Sequence, residues 1–324
     1  MSYEGIDLSN YPAMQPPAGQ HSNFVDPPSV ENKLLIINCV FTSLMAVMIV
    51  IRLVIKGPIT KVLWWDDYTC FAAAICSIIH AVVMMEQCEQ IGYGRHMWDI
   101  PASKLVDKDN LRLLSANNIV YIVCIFLAKV SMLLLYLRIF PKRTRLGKWI
   151  VWMMVFLGLF TAAMLGTAIA SEFKCITVGA QTTSLCHNIS TNLIIFQAAV
   201  TVATDFYVLV LPIPPFFRTL VQSKRKLLIA LIFLTGLVAC AASTTRLGLF
   251  VAKMGSSDIL WVEANNSSLY SIVEINTAII SGCLLNVPAF VDYSRELALR
   301  AAGESVTKSQ SGVVVCRAEG QDMV

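Results

Sequence analysis

One apolar run constrains this chain more than any other feature, because it is long enough to cross a lipid bilayer as a helix. Residues 118–140 are almost entirely apolar, and about 20 such residues span the hydrocarbon core. The run carries one charge near its middle, that of Lys129. A charged side chain at that depth costs about 3 kcal/mol or more unless it faces a polar interior. Lys129 therefore marks a candidate functional site within the membrane.

Six further apolar runs follow the same pattern, so the sequence predicts an all-α fold, a bundle of seven transmembrane helices. Hydrophobic residues make up 56% of the 324 residues and charged residues only 14%, which is far from the composition of a soluble domain. The predicted helices cover residues 34–54, 67–85, 118–140, 149–170, 191–211, 227–251 and 269–290.

Polar segments flank the predicted bundle. Residues 1–33 are rich in proline and lack both the basic start and the apolar centre of a signal peptide. We expect this segment to be a disordered extracellular tail, and the first helix to direct the chain to the membrane. Residues 291–324 are expected to form a short cytoplasmic tail.

Basic loops orient the predicted bundle. Lysine and arginine are concentrated in residues 142–148 and 218–226, and such loops stay in the cytoplasm by the positive-inside rule. Seven crossings then place the N-terminus outside and the C-terminus in the cytoplasm, and we expect the plasma membrane rather than an internal one. The Asn-x-Ser/Thr sequons fall in loops on the predicted outer side, where they are candidate glycosylation sites: Asn188, Asn265 and Asn266.

Two cysteines, Cys175 and Cys186, lie in one predicted outer loop. On the oxidising side of a membrane such a pair can form a disulfide, although connectivity does not follow from sequence alone. We predict a Cys175–Cys186 disulfide and keep Cys88, beside another outer loop, as a competing partner. Most other cysteines lie inside apolar runs, where cysteine is typically a small buried hydrophobe.

Polar side chains recur on one face of the fifth predicted helix. Gln197, Thr201 and Asp205 follow one another at intervals of four residues, so they form one stripe. At 1.5 Å per residue, Asp205 lies about 20 Å and Lys129 about 16 Å below the outer surface. We therefore predict a buried ion pair between them, which either fixes helix order or contributes to a ligand site.

A second buried pair is predicted between Arg246 and Glu274, which lie at similar depth in the sixth and seventh helices. Together with His80 these groups either line an outward-opening polar pocket or hold the bundle together. His80 is the only histidine within a predicted helix, so no metal site is expected. The seventh helix contains no lysine, which leaves a retinal linkage unsupported, and we predict no cofactor.

Two carboxylates, Asp66 and Asp67, stand at the start of the second predicted helix. They have two interpretations. Acidic residues there complement the helix dipole and cap free N–H groups. Alternatively, they form a cytoplasmic lock with Arg138 or the basic loop that follows it.

Several motifs occur together across residues 34–294: Trp65-Asp66-Asp67-Tyr68, Gly92-Tyr93-Gly94-Arg95-His96, Ala128-Lys129-Val130-Ser131, Tyr136-Leu137-Arg138-Ile139-Phe140, Leu211-Pro212-Ile213-Pro214 and Ile272-Val273-Glu274. In this combination the chain resembles the fungal rhodopsin-domain integral membrane family. The resemblance implies a seven-helix, receptor-like protein of filamentous fungi, often discussed as a non-classical G-protein-coupled receptor. Some members are associated with secondary-metabolite genes, and most have no known ligand.

Two departures from the family pattern stand out. No cysteine precedes Cys39, so we expect no cysteine-rich module of the kind found before the first helix in some members. The seventh helix reads Cys283-Leu284-Leu285-Asn286, where the family pattern implies a proline two residues after the cysteine. Pro288 is the nearest substitute.

The residues and the resemblance together favour a receptor-like protein that binds a small or lipophilic ligand in its polar core and signals to a cytoplasmic partner. The alternative is an integral membrane enzyme, or an accessory protein, of a secondary-metabolite pathway that uses Glu274 or Asp205 as a general acid. Lys129 beside Asp205 favours the ionised carboxylate, so Glu274 is the better candidate acid if Arg246 points elsewhere. No nucleic-acid motif, GxSxG motif or Walker A loop is present, and an enzyme is not our preferred interpretation.

Overall fold

The computed structural model describes residues 9–59, 61–140, 142–173, 184–211, 223–252, 258–284, 286–301, 305–309 and 312–316. The long helices within these residues are α1 (Glu31–Val54), α2 (Trp65–Gln90), α3 (Lys108–Ile139), α4 (Arg145–Ser171), α5 (Ser184–Val210), α6 (Ser223–Ala252), α7 (Leu269–Leu284) and α8 (Val287–Ala301). Short helical segments cover Ile55–Ile59, Met97–Asp99, Ala102–Val106, Ile259–Val262 and Glu263–Ser268, and β1 (Ser305–Ser309) pairs with β2 (Gly312–Cys316) in an antiparallel hairpin after the bundle.

Helices α1 to α6 are each long and apolar enough to cross a membrane. A bent pair, residues 260–284 and 287–295, makes a seventh span if it is counted as one. The prediction of an all-helical, multi-pass membrane bundle is thereby confirmed, with six or seven candidate spans. The only strands in the described residues belong to the hairpin in the segment predicted as a tail.

The seventh helix is broken where the sequence predicted an unbroken helix over residues 269–290. Helix α7 ends at Leu284, and α8 begins at Val287 at an angle of 57° to it. Pro288 explains the break, because it has no N–H to donate to the carbonyl of Leu284 and its ring would clash with that turn.

Helices α2 and α3 reach further into the predicted outer loop than expected. Helix α2 continues to Gln90, and α3 begins at Lys108 rather than at residue 118. The start of α3 is set by Asp107, whose side chain accepts a hydrogen bond from the N–H of Asp109 at 3.3 Å. The connection between these helices is therefore short and itself partly helical.

The centre of the bundle is α3, which is buried along most of its length, whereas α4 leaves most of its surface exposed. Buried side chains such as Met45, Cys124 and Ile279 form a core that α1, α2, α3 and α7 share. Helices α5 and α6 approach closely at Gly236, where a Cβ atom would lie 2.7 Å from Cδ1 of Leu209.

The N-terminal segment lies against the connection between α2 and α3. The N–H of Val30 donates to the carbonyl of Gly94 at 2.9 Å, and the N–H of Ala13 donates to the carbonyl of Ile100 at 2.9 Å. Gly94 has a φ of +98°, and a Cβ there would lie 3.3 Å from Val30, so glycine lets the two segments meet. The expectation of a disordered tail is therefore corrected for residues 9–30.

Candidate functional site

The side chain of Lys129 is buried between α3 and α5, where it meets Asp205. Its Nζ lies 3.2 Å from Oδ1 of Asp205 and donates to the carbonyl of Thr201 at 2.9 Å and to the hydroxyl of Thr204 at 2.6 Å. Two hydrogen bonds and one ion pair thus surround the ammonium. Only 4% of Lys129 and 8% of Asp205 is exposed, so this is an ion pair screened from solvent.

Thr204 is a contact that the sequence argument missed. Its hydroxyl donates to the carbonyl of Thr201, three residues earlier, at 2.9 Å, which leaves its oxygen lone pairs to accept from Lys129. The stripe of Gln197, Thr201 and Asp205 drew attention to one line along α5, and Thr204 lies beside that line. The sequence signal that could have identified Thr204 is a hydroxyl residue three positions after Thr201 on the same membrane helix.

A second ionic group joins α3, α6 and α7. Arg246 Nη2 lies 3.2 Å from Oε2 of Glu274 and donates to the hydroxyl of Tyr121 at 2.5 Å. The Tyr121 hydroxyl donates in turn to Glu274 at 3.3 Å, and the guanidinium lies 4.9 Å from the centre of the Tyr121 ring. The buried His80 packs beside it, with its ring centroid 6.3 Å from that of Tyr121.

Tyr121 therefore connects Arg246 with Glu274 in the second ionic group, although the sequence argument did not name it. It precedes Lys129 by eight residues on α3, which is about 12 Å along the helix axis. Helix α3 thus supplies one polar side chain to each ionic group. Two buried atoms in these groups, Oδ2 of Asp205 and Nε of Arg246, have no hydrogen-bond partner within the described residues.

A cleft runs between α3, α4 and α5 and ends at the Lys129 pair. Its deeper part has a cavity volume of about 20 Å³ and its mouth a cavity volume of about 100 Å³. Ile122, Met164 and Gln197 line both parts, so the two are continuous. Ser115 and Ser171 line the mouth, where α3 begins and α4 ends. The cleft gives access from that end of the bundle to buried polar groups.

At the opposite end of the bundle, a cluster around Arg52 joins α1, α2 and α7. Arg52 Nε donates to Oδ1 of Asp67 and Nη2 to Oδ2 of Asp66, both at 2.8 Å. Its Nη1 donates to the carbonyl of Gly282 at 2.9 Å. Only 1% of Arg52 is exposed. This Arg52 cluster corrects the predicted pairing, because the main partner of the two carboxylates is Arg52 rather than Arg138.

Arg138 lies at the edge of the Arg52 cluster. Its Nη1 is 4.0 Å from Oδ1 of Asp66, and its guanidinium lies 5.1 Å from the centre of the Trp64 ring. Asp67 also accepts a hydrogen bond at 3.0 Å from the N–H of Trp64, so the capping interpretation of the acidic pair describes a contact that is present. The two interpretations of Asp66 and Asp67 are thus not exclusive.

The ionic side chains described above all lie within the part of the chain that the sequence profile of the fungal rhodopsin domain matches, residues 51–292. The chain belongs to this family. It is also similar to a SAT4 family membrane protein of Emericella nidulans, with 30% identity over 215 residues, which are 65% of this chain and 53% of that protein. The chain thus matches about half the length of this relative. No solved structure matches it.

Other predicted site residues of this fungal rhodopsin-domain protein are not brought to the polar core. Asn265 and Asn266 lie in the helical segment Glu263–Ser268, and Asn188 lies in α5, so the prediction that these sequons fall in loops is wrong. Cys175 lies outside the described residues, as does the side chain of Cys186. Their disulfide stays a prediction, while the competing partner Cys88 is a buried free thiol.

A further cluster, which the sequence argument missed, connects residues 96–98 with residues 258–261. The ring of His96 is stacked between those of Trp98 and Trp261, at centroid distances of 4.2 and 3.8 Å. Its Nδ1 lies 2.5 Å from Oδ2 of Asp258. Nearby, burial raises the pKa of the Tyr93 phenol well above its usual value, so this hydroxyl stays neutral. It shares a hydrogen bond of 2.7 Å with the hydroxyl of Ser268.

Within the described part of this fungal rhodopsin-domain protein, no group of three His, Cys, Asp or Glu side chains is arranged to hold a metal ion. The sulfur atoms of Cys70 and Cys283 are 3.7 Å apart. Both thiols pack beside the Arg52 cluster in the shared core. Their side chains fill space between α2 and α7.

Proposed function

We propose that this protein is a receptor-like membrane protein, in which a small or lipophilic ligand changes the arrangement of the helices. The observation that carries the proposal is the set of three buried ionic groups. Each includes at least one contact between helices that are not consecutive in the chain: α1 with α7, α3 with α5, and α3 with α6 and α7. Such contacts couple helix positions across the whole bundle.

Buried ion pairs favour discrete arrangements over gradual ones. Removing one partner of such a pair costs about 3–5 kcal/mol, so a helix that moves must exchange one partner for another. The Arg52 cluster offers such an exchange, because Arg138 already lies 4.0 Å from Asp66 and is 35% exposed. A shift of α2 or α3 would pair Asp66 with Arg138 and release Arg52.

The proposed orientation places the Arg52 end in the cytoplasm. Lysine and arginine lie between α3 and α4 and in the first turns of α4 and α6, at positions 142–148 and 224–226, and these positions lie at that end by alternation of the helices. In this orientation the N-terminus lies outside the cell. The membrane in this proposal is the plasma membrane. The basic segments beside the Arg52 cluster would then offer a surface to a cytoplasmic signalling partner.

The receptor proposal is favoured over the enzyme because both candidate acids are held by cations. Asp205 is paired with Lys129, and Glu274 with Arg246. A general acid must also reach its substrate, and neither carboxylate is among the residues that line the cleft.

The test compares a strain that lacks this gene with strains that carry the wild type or Asp66→Asn. Asp66→Asn weakens the Arg52 cluster, so it is expected to change transcription in the absence of any added cue. Asp109→Asn is the matched control, because Asp109 forms an exposed pair with Arg112. The proposal is overturned if the deletion strain instead accumulates one metabolic precursor that wild-type membranes convert to product.

A further inference from the structure

We propose that the first turns of α4 bind anionic phospholipids through a basic-aromatic face, which consists of Arg145, Lys148, Trp149 and Trp152. The inference goes beyond the receptor proposal, because it concerns the lipid around this helix and applies to a receptor and an enzyme alike. Three observations carry it: the alignment of these side chains at the membrane boundary, the lack of counter-ions for the two cations, and the sign of the helix dipole.

The basic-aromatic face is exposed and continues into an apolar surface. Its four residues occupy positions i, i+3, i+4 and i+7 of α4, which places them on one side of the helix. Trp149 is 65% exposed and Trp152 is 71% exposed, and both cations are exposed as well. The same side of α4 continues with the exposed residues Phe156 and Leu159. Because α4 is a candidate membrane span, this side is in contact with lipid.

The two cations lie at the depth of lipid headgroups. No charged residue occurs in residues 149–171, and about 20 such residues cross the hydrocarbon core. Tryptophan is typical of the boundary between hydrocarbon and headgroups, so Trp149 and Trp152 place this boundary in the first turns of α4. Arg145 precedes Trp149 by four residues, which is about 6 Å along the helix axis. Its guanidinium is therefore level with the phosphate groups.

Neither cation of the basic-aromatic face forms an ion pair with a described residue. By contrast, the buried cations Arg52, Lys129 and Arg246 are each paired with a carboxylate. The neighbouring sequence offers no partner either, because residues 110–171 contain no aspartate or glutamate. The anions that lie at the same depth are the phosphates of the surrounding lipid.

The helix dipole strengthens the case for a bound anion. A helix N-terminus carries a partial positive charge, which favours acidic residues in the first turn and disfavours basic ones. Helices α1, α2 and α3 each have an acidic residue there, whereas α4 has none and begins with Arg145. An anionic headgroup would offset both the dipole and the side-chain charges, and the planar guanidinium of arginine matches the geometry of a phosphate.

A phospholipid fits the basic-aromatic face better than a protein partner does, because the cations adjoin a surface that faces hydrocarbon. Headgroup and acyl chains would contact the two parts of one continuous surface. In the proposed orientation this end of α4 lies in the cytoplasmic leaflet, where anionic lipids attract basic residues. Lys142 and Arg143 precede α4 and are not part of the face, so they remain available to the cytoplasmic signalling partner.

The test uses the full-length protein in detergent, titrated with phosphatidylserine or with phosphatidylcholine of the same acyl chains. Native mass spectrometry resolves each bound lipid and gives the two affinities. We expect the wild type to bind phosphatidylserine about thirtyfold more tightly, because each of two cations favours an anionic lipid by a factor of about five. Equal affinities for the two lipids would overturn the inference.

Variants assign the preference to the face. Arg145→Gln combined with Lys148→Gln should remove most of it and leave phosphatidylcholine binding unchanged, which also shows that the variant is folded. Lys33→Gln combined with Lys108→Gln is the matched control, because it removes the same charge from exposed residues at the opposite end of the bundle. Lys148→Gln alone should weaken phosphatidylserine binding about fivefold, and it decides the outcome if the double variant does not fold.

The inference is wrong if the preference survives in the Arg145 and Lys148 variant, or if the matched control loses it to the same extent. Glycerophosphoserine, which carries the same headgroup without acyl chains, separates a lipid from a soluble anion. If it binds as tightly as phosphatidylserine, the face binds soluble anions and the lipid assignment falls. None of these results affects the receptor proposal, which depends on the transcriptional response to Asp66→Asn.

Discussion

The Arg52 cluster and the Lys129 pair both bury a cation against carboxylates, but their surroundings differ. Around Arg52 three helices meet, and both carboxylates and a backbone carbonyl accept its hydrogen bonds. Lys129 pairs with Asp205 and donates to two threonine oxygens on one neighbouring helix, and it borders a cleft. The Arg52 cluster therefore connects three helices, whereas the Lys129 pair connects two.

The largest effect is expected from Arg52→Met, which tests whether the Arg52 cluster is the stronger of the two. The substitution leaves Asp66 and Asp67 buried without their main donor, and we expect a loss of about 3–5 kcal/mol in the free energy of unfolding. Unfolding is measured in mixed micelles by circular dichroism. Arg112→Met is the control, because its pair with Asp109 is exposed and is expected to contribute little. A loss no larger than that of Lys129→Met would remove the distinction between the two regions.

The Lys129 pair is expected to respond differently when both partners are changed. Lys129→Met alone should lose about 3 kcal/mol, because it leaves Asp205 unpaired. Adding Asp205→Leu should recover most of that loss, since no buried charge remains. Unfolding of the two single variants and the double variant in mixed micelles completes the cycle. A strictly additive loss would mean that the two side chains act independently despite their 3.2 Å contact.

No comparable recovery is expected in the Arg52 cluster, which sharpens the comparison. Asp67 accepts from Arg52 and also from the N–H of Trp64, so removing it uncaps α2 as well. The Lys129 pair and its two threonine contacts join only two helices, whereas the Arg52 cluster combines a helix cap with contacts among three helices.

Tyr121→Phe is expected to have a smaller effect, because it removes one hydroxyl and keeps the ring. That hydroxyl accepts from Arg246 and donates to Glu274, and its loss should lower the free energy of unfolding by about 1–2 kcal/mol. Tyr136→Phe is a control on the same helix, since no hydrogen bond links the buried Tyr136 hydroxyl to the described residues. Thermal unfolding of both variants in nanodiscs measures the difference, and similar shifts would assign Tyr121 a packing role only.

Sequence reasoning identified the bundle and four charged members of its polar core. Lys129, Asp205, Arg246 and Glu274 were found because a charge within an apolar helix requires a partner at the same depth. Their depth along each helix follows from counting residues. Which helix faces which neighbour depends on packing that no single helix encodes, so the partner of each charge was a hypothesis until the structure placed it.

Sequence reasoning missed residues whose type and position in the sequence already had an ordinary explanation. Arg52 stands at the end of an apolar run, where a basic residue usually marks the membrane surface. In the structure it points inward and is 1% exposed. Tyr121 is a common residue in a membrane helix and carries no charge. The cleft depends on how loosely α4 packs, which is a property of three helices together and has no local sequence pattern.

Arg138→Gln is expected to have the smallest effect on stability and the sharpest effect on function. Arg138 is 35% exposed and its contact with Asp66 is 4.0 Å long, so its loss should change the free energy of unfolding by at most about 0.5 kcal/mol. In the proposed receptor, however, Arg138 is the partner that Asp66 takes when Arg52 is released. The variant should therefore fold normally, measured by thermal unfolding, and fail to restore the transcriptional response in the deletion strain. A stability loss above about 2 kcal/mol would show that Arg138 already holds Asp66 in this arrangement, and a normal response would show that the exchange of partners is not used.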